Sequence, residues 1–190
     1  MKLFLHGRVQ KLLHLMAGCN DLLKNFIDQD LGVDAALAKF LGAAATGYGN
    51  FGRKDVEGKI LLLLAELSAV RRGIDPITYQ RISSRRRELA SAFSLKALQI
   101  TSRQISSDLE QDENELQAGR ALLTPLILAA LQRGLIPDPA TTAGNTAAIQ
   151  ALWREFLIDQ DICLAAKRVA LTLSLPDILL LMESMLGDLS

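Results

Sequence analysis

Residues 58–70, GKILLLLAELSAV, decide how this chain is read. Between Lys59 and Val70 only Glu66 and Ser68 interrupt an apolar run, and Ile60 to Leu64 are consecutive apolar side chains. On a helix, consecutive residues point all round the axis, so the segment predicts a helix that needs neighbours on every side. Asp55 reads as its N-cap, with Glu57 in the first turn. Arg71, Arg72 and Gly73 read as a cationic last turn followed by a left-handed cap.

The rest of the composition fits helices packed on that one. The chain has 190 residues, 49% of them apolar and only 5% aromatic. A core of Leu, Ile and Ala suits helix-on-helix packing, whereas a sheet favours β-branched and aromatic residues. The expected fold is all-α: an irregular bundle of roughly six to eight helices around residues 60–70. It forms a single domain, with a possible sub-division near residues 101–120. The apolar runs fall short of the roughly 20 residues of a membrane helix, and two cysteines, Cys19 and Cys163, make no disulfide framework. The expectation is a soluble protein of a reducing compartment, hence cytoplasmic. The N-terminal stretch ending at Cys19 looks a little like a lipoprotein cleavage site. His6, Arg8, Gln10, Lys11 and His14 break the apolar centre that such a signal requires.

Outward from the central segment, the N-terminal residues read as one kinked helix or two helices broken at Gly18, stopping at Gly32. A shorter helix from Asp34 dissolves into the small-residue stretch 42–53. Asp75 and Pro76 read as an N-cap and first turn that restart a helix. Its apolar stripe would be Ile82, Leu89, Phe93 and Ile100, with Arg86 lying on that stripe. From Leu95 the pattern narrows to heptads: Leu95, Leu98, Ile105, Leu109, Leu116, Leu123 and Leu126, interrupted by Ser102, Asp112 and Gly119. Such a narrow seam predicts an exposed arm or a coiled-coil contact over 101–120, so Ile105, Leu109 and Leu116 are the candidate interaction seam. Leu109→Asp and Leu116→Asp are then expected to weaken association without unfolding the bundle. Pro125 predicts a kink and Gly134 a helix end. Residues 135–145 read as a loop, 146–173 as helix, and Ser174 with Pro176 as the start of a last helix, which Gly187 stops.

Few residues point to chemistry. Gly47, Gly49 and Gly52 match GxGxxG, but they follow a helical pattern rather than a strand, so a dinucleotide site is not implied. As an interhelical loop, the segment puts Tyr48, Phe51 and Arg53 forward as binding residues. The two IDQD segments, 27–30 and 158–161, set their aspartates about 200° apart on a helix and cannot grip one ion. His6, His14 and Cys19 lack a third group to orient a thiol–imidazole pair. The sequence names no catalytic residue, no metal ligand and no cofactor.

Charge is uneven although the net charge is zero: residues 52–103 carry eleven Lys/Arg against five Asp/Glu, and 104–190 carry five against twelve. The cluster Arg81, Arg85, Arg86 and Arg87 is read as pairing with the acidic stretch Asp108 to Glu115. Arg86, on an apolar stripe, must snorkel, pair with a carboxylate or face a ligand, and Arg85 joins it as a candidate binding residue. The function this predicts is a non-enzymatic helical protein–protein interaction module, whose partner is another protein or a second copy. The alternatives are a ligand-binding protein or enzyme with a site around Arg86, and a nucleic-acid regulator using a helix 81–87. A pI of about 6.7 and a Glu directly after the cluster argue against the last.

Overall fold

The computed structural model describes residues 4–28, 33–82, 86–136 and 138–189. Among them the chain is all-α, with eight helices: α1 (Leu5–Ile27), α2 (Val33–Asn50), α3 (Lys54–Arg71), α4 (Arg86–Gln132), α5 (Pro139–Ala143), α6 (Thr146–Ile158), α7 (Cys163–Thr172) and α8 (Leu175–Gly187). They divide into two compact units, Gln10–Glu110 and Met1–Val9 with Gln111–Ser190. Helices α1 and α4 contribute to both. No single helix among the described residues is long and apolar enough to cross a membrane.

In the unit Gln10–Glu110, α1 runs unbroken through Gly18, and α2 does not dissolve in its small-residue stretch. Leu37, Leu41, Ala44, Ala45 and Tyr48 recur at helical spacing and are all buried, so the small residues belong to the packed side of a helix reaching Asn50. Residues 51–53 turn the chain, with Gly52 at φ +76°, and α3 packs back on α2. The core joins Leu12, Cys19 and Leu22 of α1 to the stripes of α2 and α3 and to Ala97, Leu98 and Ile105 of α4.

Helix α3 corrects the reading of residues 58–70. It buries only Val56, Ile60, Leu63, Leu67 and Val70, one stripe, while Leu61 and Leu62 remain 48% and 60% exposed. Its N-cap position is held by Arg53 rather than Asp55, which sits exposed in the first turn. The far end is as expected. Gly73 has φ +81°, its N–H donates to Val70 O, and the Ile74 N–H donates to Ala69 O, the paired bonds of a Schellman cap. Gly134 ends α4 the same way, with φ +71° and bonds from Gly134 N to Leu131 O and Leu135 N to Ala130 O. Both helices therefore end in the same cap.

No helix starts at Asp75. Its carboxylate does accept from the Ile77 and Thr78 N–H groups as an N-cap would, but Tyr79 adopts φ +57° and the chain doubles back, pairing Ile74 with Arg81. Among the described residues helix α4 runs from Arg86 to Gln132. Its inward stripe is not Ile82, Leu89, Phe93 and Ile100; Leu89 and Ile100 are exposed. It is Ser94, Ala97, Leu98, Thr101, Ile105 and Asp108, continued by Asp112, Gly119, Leu123, Leu126, Ile127 and Ala130. There is no solvent-exposed arm over 101–120, and the helix passes through Pro125 without ending. Ile105 is fully buried, Leu109 is partly buried against the same core, and Leu116 against the core of the other unit. The seam is covered by the chain's own residues, so Leu109→Asp and Leu116→Asp should destabilise the fold.

In the second unit, α5, α6, α7 and α8 pack on one another and on the C-terminal part of α4. Asp138 caps α5 inside the stretch read as loop, Asn145 caps α6, and Ser174 caps α8, as Ser174 and Pro176 predict. The expected helix 146–173 is broken at residues 159–162. There the Asp159 carboxylate accepts from the Asp161 and Ile162 N–H groups, and Arg133 donates to Asp159 at 2.8 Å. At Gly119 a Cβ would stand 2.3 Å from a methyl of Leu173, a side chain that is itself buried. Only glycine lets α4 and that leucine approach this closely.

Candidate interaction surfaces

The face of α3 turned away from its buried stripe carries Gly58, Leu61, Leu62, Ala65 and Ala69. These span about 100° of the helix, roughly opposite Val56, Ile60, Leu63, Leu67 and Val70. All are exposed except Ala69, which is half-buried, and a Cβ at Gly58 would meet no atom within 4 Å. A surface helix ordinarily turns a polar face to water; this one is apolar on both sides. The stripe is closed at its ends by charge, with Lys54 and Asp55 at one end and Arg72 at the other. The sequence identified the apolar run but not this division. Leu62 and Leu63 are indistinguishable until Leu63 is seen to join the core and Leu62 to remain exposed.

A second surface of the same unit is a groove of about 590 Å³ between α1 and α2. Leu15, Gly42, Ala43, Gly47 and Phe51 supply apolar walls, and Gln10, Lys11, His14, Thr46 and Asn50 supply polar groups. The Lys11 ammonium stands 5.8 Å from the centre of the Phe51 ring, within cation–π range. Among the described residues no carboxylate lines this groove. Lys11 and His14 became candidates only here, because their relation to α2 is tertiary.

The predicted binding residues separate. Tyr48 is 1% exposed, its ring packed edge-on to Phe51 at 5.9 Å, so it is core and not surface. Phe51 borders the groove. Arg53 donates to Asp108 at 2.9 Å and stands 3.4 Å from Asp55, a structural pairing. Arg86 lies exposed at the first residue of α4. Its guanidinium rests near Gly73, where a Cβ would meet it at 3.6 Å, beside the carbonyl end of α3. It lies neither on an apolar stripe nor in the wall of the groove. Arg85 is outside the described residues. Arg81 and Arg86 do not share a helix, which removes the continuous cationic helix 81–87. The buried acids Asp108 and Asp112 pair with Arg53 and Arg8.

The other polar clusters serve the fold. The Asp177 carboxylate, fully buried at the start of α8, accepts from the Leu5 and His6 backbone N–H groups at 3.0 and 2.9 Å, and so caps α1 from 171 residues away. The His6 ring lies 2.8 Å from it, and the Ser174 hydroxyl donates to it. A nucleophilic serine needs the imidazole beside its hydroxyl, but here the carboxylate stands between the two. Burial pushes the Asp177 carboxyl up; the donors from His6, Ser174 and Leu5 outweigh it and hold the group below the usual carboxylate range. Cys19 is fully buried, which pushes its thiol up to about 11, and His14 faces the groove, so the two form no reactive pair. Among the described residues no three His, Cys, Asp or Glu side chains gather as metal ligands. Compared with protein-family models, curated proteins and solved structures, the chain matches none.

Proposed function

We propose that this protein acts by binding other protein surfaces, as a helical interaction module, and that the outer face of α3 is its docking surface. One observation carries the reading: α3 is apolar on two opposite sides, yet its own fold covers only one of them and leaves Leu61 and Leu62 in water. Fully burying a leucine yields about 1.5–3 kcal/mol, so a second helix laid on this face gains several kcal/mol before ordering costs. A second reading, ligand binding, moves from Arg86 to the α1–α2 groove, whose apolar walls and unopposed Lys11 fit an apolar carboxylic acid.

Native mass spectrometry of the protein purified gently from its own cells separates the two. The interaction reading expects a complex of two or more chains in the wild type and bare monomer for Leu62→Glu. A wild-type monomer carrying a small bound mass would transfer the function to the groove, and a bare wild-type monomer would overturn the docking surface.

A further inference from the structure

We propose that the outer face of α3 pairs with the same face of a second copy, antiparallel and related by a two-fold axis over the turn Leu62–Ala65. This names the partner for the docking surface above and rests on that reading.

The stripe is self-complementary in one direction only. Read along the helix it runs Asp55, Gly58, Leu62, Ala65, Ala69, Arg72. Turned end to end against itself, it sets Leu62 on the second copy's Ala65, Gly58 on its Ala69, and Asp55 beside its Arg72. Along this stripe Leu62 meets a small residue and each charge meets its opposite, while Leu61, at the edge of the face, falls beside the second copy's Glu66 in the same register. Two-fold symmetry makes every one of these contacts twice. Laid parallel, the same stripe would put leucine on leucine, Asp55 on Asp55 and Arg72 on Arg72, with aligned helix dipoles. The ends are placed for the antiparallel pairing. The Asp55 side chain is 62% exposed and Arg72 is exposed at the opposite end of the helix. Gly58 adds room for close approach, since nothing of its own chain stands where its Cβ would be.

An 18-residue helix is about 27 Å long, so a single helix pair lies at the small end of specific interfaces. The dimer should therefore dissociate on the order of micromolar concentrations. Its charged ends should respond to salt.

Charge reversal tests the pairing. In sedimentation equilibrium on the full chain at low salt, Asp55→Arg and Arg72→Asp should each weaken self-association by about tenfold or more, because each places like charges together at both ends. An equimolar mixture of the two variants should form heterodimers with affinity restored to near the wild-type value. The double variant should form homodimers again. Circular dichroism and urea midpoints of each variant confirm that the fold is retained. A wild-type chain that stays monomeric at several hundred micromolar overturns the proposal. So does a dimer whose affinity ignores both reversals, or a mixture that fails to form heterodimers. If the chain is monomeric alone but Leu62→Glu removes a different protein from the native complex, self-pairing is wrong and the docking surface stands.

Discussion

Asp112→Ala is expected to lower stability by about 3–5 kcal/mol, among the largest effects of any single change in this chain. Asp112 has no exposed surface, and the Arg8 side chain that meets it is only 10% exposed. Arg8 donates from Nε to one Asp112 carboxylate oxygen and sets Nη2 against the other as an ion-pair contact. Alanine removes the fully buried carboxylate from this ion pair, and breaking a buried pair by deleting one partner is costly. Replacing both partners by apolar residues, Arg8→Met with Asp112→Leu, should recover most of the loss, because no charge is then left behind. Urea midpoints of the two variants check this. A cost below about 1 kcal/mol for Asp112→Ala would show that the pair is solvated.

The second large effect is expected at Asp177, where Asp177→Ala should cost about 3 kcal/mol at neutral pH. The buried Leu5 N–H and the part-buried His6 N–H of the first turn of α1 lose their acceptor, and the Ser174 hydroxyl and His6 ring lose theirs. The effect has a defined pH dependence. The folded-state carboxyl titrates below its unfolded value, so its contribution is fully present above the unfolded pKa of about 3.9 and is lost as pH falls through the lower folded value. The stability gap between wild type and Asp177→Ala should therefore be constant from neutral pH to about 5 and close under stronger acid. A gap that persists unchanged at the lowest pH at which both fold would refute the capping role.

Much of the fold was legible because it rests on local rules. Gly73 and Gly134 announced their caps, Ser174 and Pro176 opened α8, and a Leu- and Ala-rich composition implied helices throughout. What failed did so where tertiary packing overrides local pattern. Asp75 makes the bonds of an N-cap, yet a left-handed Tyr79 turns the chain back before a second turn of helix forms. In α4 the leucines gave the seam the wrong phase. Asp112 and Gly119 look like interruptions of a heptad, but one holds Arg8 and the other admits Leu173, so both sit on the inward side with Ser94, Thr101 and Asp108. Polar and small residues mark that stripe only once their partners on other helices are known. For the same reason the bare face of α3 was half legible: an apolar run shows that α3 seeks neighbours, while which side its own chain leaves bare depends on where α2 and α4 lie.

Adjacent leucines on α3 give the most direct measurement. Urea unfolding and sedimentation, compared for Leu62→Glu and Leu63→Glu, separate an outward position from an inward one on the same turn of helix. If the outer face is a docking surface, Leu62→Glu keeps stability within about 1 kcal/mol of wild type and abolishes association, while Leu63→Glu places a charge in the core and costs about 4 kcal/mol or more. Comparable loss of stability in both variants would contradict this account, for it would mean that α3 is enclosed on every side by its own chain.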